Sequence, residues 1–182
     1  MDLRTRPVEQ RGLSLIELMV AVAVAIILAL MAMPVYQSWV AGQQVRAATE
    51  SILDGIRIAQ GEAIKRNQAV RMVFDNGDGW EVQLDSDDSV LRTATRKEGS
   101  TQVKLSVAPV GADSIVFDGL GRVLDKDLAP LAERITIDFD TSTSLTGVRA
   151  LRVVIDTVAA GGFGIRSCDP KLAAGDPRAC PA

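Results

Sequence analysis

The chain has 182 residues, 47% of them hydrophobic and 24% charged, with a formal net charge of −3. That is room for one modest domain plus an added apolar segment, and a mildly acidic chain without a long basic run is poorly suited to wrapping nucleic acid. The absence of histidine excludes His-based triads, imidazole metal sites and imidazole proton shuttles.

Residues Met1–Gly12 carry Arg4, Arg6 and Arg11 against Asp2 and Glu9. The next stretch, Leu18–Met33, is almost wholly apolar, and no charged residue occurs from Leu18 to Val45. With Leu13–Ile16 added, the run reaches about 20 residues, enough to span about 30 Å of hydrocarbon as a helix. The leading arginines are expected to stay cytoplasmic and the C-terminal domain to be exported, giving a single-pass inner-membrane protein. Tyr36 and Trp39 fall where an aromatic belt meets the outer interface, or where they pack on the helix itself.

An ordinary secretory signal is cut after its apolar run, beside small residues. Here the apolar run leads straight into a continuing helical pattern, with no such site before the polar segment. A cut on the near side, at Gly12, keeps the apolar helix on the mature chain. It removes three arginines and two acids, one net positive charge, so −3 becomes about −4.

Glu17 is the one acid in the apolar segment. A carboxylate at the bilayer centre costs up to about 3 kcal/mol, and such residues are generally functional and partnered. Cleavage after Gly12 gives Leu13 an α-ammonium group. Glu17 lies four residues on, on the same helical face, so that amine, in its own or a neighbouring subunit, is a ready counter-charge.

The run Arg11-Gly12-Leu13-Ser14-Leu15-Ile16-Glu17-Leu18 resembles the class III signal of type IV pilins and type II secretion pseudopilins. The resemblance implies a prepilin peptidase cut after Gly12, methylation of the new N-terminus at Leu13, and Glu17 as the fifth mature residue. Phenylalanine is commonest in the family where Leu13 stands here. Pro34 matches a proline of many pilins. It lacks a backbone N–H and clashes with the preceding turn, so it is expected to kink the helix or let it melt locally in a filament.

Beyond Pro34 a helical stripe appears: Val45, Ala48, Ile52, Ile56, Ala59 and Ala63 recur at spacings of three and four, and charged residues fill the other faces. One long helix is predicted to run from the membrane to about Asn67. Alternation then predicts strands over Ala69–Asp75 and Trp80–Asp85 around Asn76-Gly77-Asp78-Gly79, a strong hairpin signal. Further strands are expected over Gln102–Ala108, Ser114–Asp118, Arg134–Asp140 and Arg149–Thr157. The class is therefore α+β, with an antiparallel sheet on the exposed half of the helix. The segments are residues 1–12, a leader; 13–35, the membrane helix; and 36–182, the exported domain. Within the last, 36–67 is helix, 69–157 sheet and 158–182 a tail.

The stretch Ile58–Asn67, the pair Gly79-Trp80 and the tail Gly164–Asp169 are similar to those of the GspH/FimT family, protein H of type II secretion systems and its minor-pilin relatives. This implies a type IV pilin-like fold. It also implies a non-enzymatic subunit whose partners are the prepilin peptidase, other pilins or pseudopilins and an inner-membrane assembly platform. Some relatives take part in DNA uptake through basic C-terminal residues, which maps possible DNA contacts to Arg166, Lys171 and Arg178. Phe163 and Gly164 stand where that pattern places an arginine, and Asp169 and Asp176 offset two of the cations, so nucleic acid is not the expected partner.

Cys168 and Cys180 are the only cysteines. A metal half-site and a reduced pair are the alternatives, and an exported setting favours a local disulfide that pins the tail. Gly161–Gly164 lacks the Lys-Ser/Thr of a phosphate loop and reads as a tight turn. Asp75–Gly79 and Asp85–Asp88 do not fit a calcium loop and read as solvated turns. No cofactor or metal is expected. The three functions left are a structural minor pilin, a secretion pseudopilin and a DNA-binding uptake subunit, and the cysteine-bearing tail favours the pilus branch.

Overall fold

The computed structural model describes residues 14–75, 79–95, 100, 102–141, 147–158 and 162–181. The one helix among these residues, α1 (Leu15–Arg66), has 52 residues and passes through Pro34 without interruption. The chain divides into two units, residues 1–37 and 38–182. In the first, the described part of α1 is exposed throughout, and none of its apolar window is buried within the chain.

In the second unit, α1 buries Ala41, Val45, Thr49, Ile52, Gly55, Ile56, Ala59 and Ala63. That is the predicted stripe, with Ala48 half-buried at its edge. Thr49 can be buried because its hydroxyl donates to the Val45 carbonyl at 2.8 Å. The helix ends at Asn67, whose φ of 51° is left-handed. The N–H groups of Asn67 and Gln68 turn back to the carbonyls of Ile64 and Ala63, which satisfies the last turn.

Among the described residues nine strands follow, all paired antiparallel. They are β1 (Val70–Asp75), β2 (Gly79–Leu84), β3 (Val90–Thr95), β4 (Val103–Ala108), β5 (Ser114–Phe117), β6 (Val123–Leu124), β7 (Ile135–Thr141), β8 (Leu151–Val158) and β9 (Gly162–Cys168). They form a five-stranded sheet in the order β3-β2-β1-β5-β6 and a four-stranded sheet in the order β4-β7-β8-β9. Register puts Met72 opposite Val82 and Phe74 opposite Trp80 in the first sheet, and Ile137 opposite Val153 and Ile135 opposite Ile155 in the second. These residues join Val45, Ile52 and Ile56 of α1 in one hydrophobic core.

Three expectations change. The single sheet becomes two, because β4 pairs forward with β7 rather than with the first hairpin. The strand β3 is missed from the sequence because it is an edge strand with mostly solvated faces, so no apolar alternation marks it. The expected glycine-rich tail from residue 158 is in part strand: Gly162–Cys168 pairs along β8 over seven positions, and the ladder overrides the turn chemistry of its glycines. Residues 76–78 of the predicted hairpin turn lie outside the described residues, although the strands they join do pair.

Two helix glycines make opposite predictions. A Cβ on Gly55 would lie 2.7 Å from Met72 Cε and 2.9 Å from the Trp80 ring, whereas one on Gly61 meets nothing within 4 Å. Met72 can swing its terminal methyl aside, but the buried Trp80 indole is held by its Nε1–H bond to Ser51 Oγ at 2.9 Å. Chemical denaturation of the full chain in detergent should show Gly55→Ala losing about 1–2 kcal/mol, because overpacking outweighs helix propensity. Gly61→Ala should gain up to about 1 kcal/mol.

Candidate functional site

Helix α1 starts on a cap. The Glu17 N–H donates to Ser14 Oγ at 3.2 Å, and the Leu18 N–H donates to the Ser14 carbonyl at 3.2 Å. Ser14 is therefore the N-cap and Glu17 the third helical residue, the Ser-x-x-Glu spacing of a capping box. A carboxylate in the first turn also faces the positive end of the helix dipole. Glu17 thus serves the helix start, a role legible in its spacing from Ser14 but hidden there by the stronger processing signal. Its side chain is exposed. Gly12 and Leu13 lie outside the described residues.

Fourteen large apolar side chains between Leu15 and Val35 are each at least half exposed. Fully burying such a side chain contributes roughly 1.5–3 kcal/mol, so together they represent on the order of 20 kcal/mol or more of unfavourable water contact. Among the described residues nothing covers them.

At the other end of the molecule, Cys168 and Cys180 form a disulfide with a Cα–Cα distance of 4.9 Å. Register places Cys168 opposite Arg152 and Val154 opposite Arg166, on the face of the second sheet turned away from the core. Val154 is nevertheless 1% exposed. The tail returns to this side, where Arg134 Nη1 donates to the Pro181 carbonyl at 3.4 Å. The Asp169 N–H donates to the Arg178 carbonyl at 2.8 Å, and Asp176 accepts from the Arg178 N–H at 2.9 Å. The bridge and these turns hold a segment that has no apolar stripe of its own.

The three candidate DNA contacts each face an acid. Arg166 Nη2 lies 3.7 Å from Asp156, Lys171 Nζ 3.8 Å from Asp140, and Arg178 Nη2 3.0 Å from Asp176. Partial neutralisation of this kind weakens their pull on phosphates. The acids of the turn after β2 are also engaged, since Asp87 accepts from the Ser89 N–H at 3.1 Å and Asp88 from Gln83 at 3.2 Å. Among the described residues no group of three or more His, Cys, Asp or Glu is arranged to hold a metal.

Two measurements probe the tail. Replacing Cys168 and Cys180 together by serine should cost about 3 kcal/mol, the loop-closure contribution for this separation, read as a lower denaturation midpoint. The Asp176 carboxyl is held down to about 2, chiefly by its hydrogen bond from Arg178. Its folded value lies below the unfolded one, so its contribution is complete above about pH 4 and is lost as the pH falls towards 2. A carbon-detected NMR titration should find that low midpoint, and Arg178→Gln should raise it.

Residues 48–159 match the family of the type II transport protein GspH, and residues 9–33 match the prokaryotic N-terminal methylation motif. No curated protein matches the sequence. Among solved structures, the chain is similar to the type IV minor pilin FimU of Pseudomonas aeruginosa (15% identity, TM-score 0.49, covering 68% of this chain and 89% of that one). It is also similar to the minor pseudopilin EpsH from the type 2 secretion system of Vibrio cholerae (15%, 0.47, 71% and 99%) and to GspH of E. coli (13%, 0.43, 71% and 91%). The assignment rests on the sequence matches, which together cover the helix start, the methylation motif and most of the folded unit. The chain belongs to the GspH family and is a minor pilin or pseudopilin subunit.

Proposed function

We propose that the subunit is held in the inner membrane by residues 13–35 with its folded unit on the periplasmic side, and is cut after Gly12 by a prepilin peptidase and methylated at Leu13. It then enters a type IV pilus or type II secretion pseudopilus at or near the tip, where it primes polymerisation. The observation that carries this reading is the helix itself: an uncovered apolar half continuous with a half that anchors a folded domain. In the membrane, lipid covers the apolar half. In the fibre, other subunits' helices take lipid's place.

Glu17 supplies the register. Side by side in a fibre core, a carboxylate without a counter-charge is costly, and the Leu13 amine of a neighbour removes that cost at one axial stagger only. Pro34 lies at the far end of the same apolar run and gives the helix a point at which to yield during packing. The acid partners of Arg166, Lys171 and Arg178 speak against a role in DNA uptake.

Priming makes a distinctive prediction. Cells lacking the subunit should form several-fold fewer fibres, with those that form of normal length, as counted by electron microscopy. Uniformly shortened fibres at normal number would contradict it. Gly12→Ala should leave the leader attached, visible as a heavier band on a gel, and should fail to restore fibre number.

A further inference from the structure

Helix α1 begins at a defined place. Its first ladder bond runs from the Leu18 N–H to the Ser14 carbonyl at 3.2 Å, and the Glu17 N–H donates to Ser14 Oγ, also at 3.2 Å. The first helical residue is Leu15. In sequence, Leu13 stands just before the cap and Leu18 fourth in the helix, the two positions of a hydrophobic staple. Hydroxyl cap, acid at the third helical position and staple positions together specify a helix that starts after Ser14 and not earlier.

The stop matters for the residue two places upstream. The bond to be cut joins Gly12 to Leu13, so the reacting carbonyl is that of Gly12. A cap residue's carbonyl accepts the first intrahelical hydrogen bond, and leucine is a poor cap whereas glycine is an acceptable one. A helix that overran Ser14 would therefore next stop at Gly12, and its ladder would begin with the Ile16 N–H bonded to the Gly12 carbonyl. Hydrolysis needs that oxygen for the donors that stabilise the developing oxyanion. A carbonyl bonded into a helix does not present it. The run behind Ser14 is rich in Ala, Leu and Met, strong helix formers, so the stop has to be imposed.

We propose that Ser14 is a positioning residue for leader removal: its cap fixes the helix start and keeps the Gly12 carbonyl out of the helix ladder, open to attack. Water then adds to the Gly12 carbonyl carbon and the C–N bond to Leu13 breaks. Both protons of the water end on the Leu13 nitrogen, leaving a carboxylate on the leader and an ammonium on the mature chain. Ser14 acts through the backbone and not by touching the peptidase. This rests on the reading that the chain is cut after Gly12.

The full uncleaved chain in detergent micelles, incubated with purified prepilin peptidase, tests this by the rate of cleavage and the mass of the products. The native chain is scored first; no cut after Gly12 sinks the processing reading, and this proposal with it. Given that cut, Ser14→Ala should be processed several-fold more slowly. The loss should be a higher KM at unchanged kcat, because only chains with an open carbonyl are competent to bind. Ser14→Asn and Ser14→Gly, which cap nearly as well as serine, should be processed at close to the native rate. Glycine is the deciding variant, because it lacks the hydroxyl just as alanine does. If Ser14→Gly is as slow as Ser14→Ala, the peptidase reads the hydroxyl directly and the proposal falls. By NMR of the uncleaved chain, the Gly12 carbonyl carbon should move towards helical values in Ser14→Ala and stay native in Ser14→Gly. A native processing rate or an unmoved Gly12 resonance in Ser14→Ala also overturns the proposal. Residue 14 lies outside the folded unit, residues 38–182, so these variants are compared at equal folding.

Discussion

The fold depends on one helix that must satisfy two different surroundings. From Ala41 to Ala63, α1 has a stripe buried against sheet, with polar residues facing water. From Leu15 to Val35 it has no such asymmetry: apolar side chains point outward all round and no described residue covers them. A helix hydrophobic on every side is stable only in lipid or inside a bundle. Membrane anchoring and fibre assembly are two answers to that one constraint, and the same residues serve both.

In the proposed reading, Glu17 separates an assembly helix from a plain anchor. Its place one turn into α1, on the Ser14 cap, keeps its carboxylate beside the positive end of the helix whatever covers the side chains. Local capping and intersubunit pairing are compatible, because the cap occupies the Glu17 backbone N–H and leaves the carboxylate for a partner. The folded unit, by contrast, is held by means local to itself: a shared core of α1 and two sheets, and a disulfide that secures a tail with little apolar content.

Much of this was legible in the sequence because it is written in local patterns. The apolar run and the stripe from Val45 to Ala63 need no knowledge of distant contacts, and the hairpin strands β1 and β2 alternate visibly. What stayed hidden depends on non-local pairing. The edge strand β3 has no apolar face to announce it, β9 reads as turn chemistry until β8 lies beside it, and nothing local says that β4 joins β7 rather than β1. Gly55 carries no local sign of its role. In the fold it is the socket for Trp80 and Met72. At the site, Ser14 was visible only as part of the processing signal, and its capping role emerged with the helix start.

The central claim is that the Glu17 charge, rather than the bulk of its side chain, sets the stagger of subunits in the fibre. Glu17→Gln keeps size and hydrogen-bonding capacity and removes the charge. The decisive quantity is the ratio of this variant in sheared fibres to that in the membrane, relative to the native chain. Leaving a buried amine uncompensated costs about 3 kcal/mol or more, so membrane levels should be native while the fibre ratio falls at least tenfold. A native ratio for Glu17→Gln would show that the charge pair does not direct assembly.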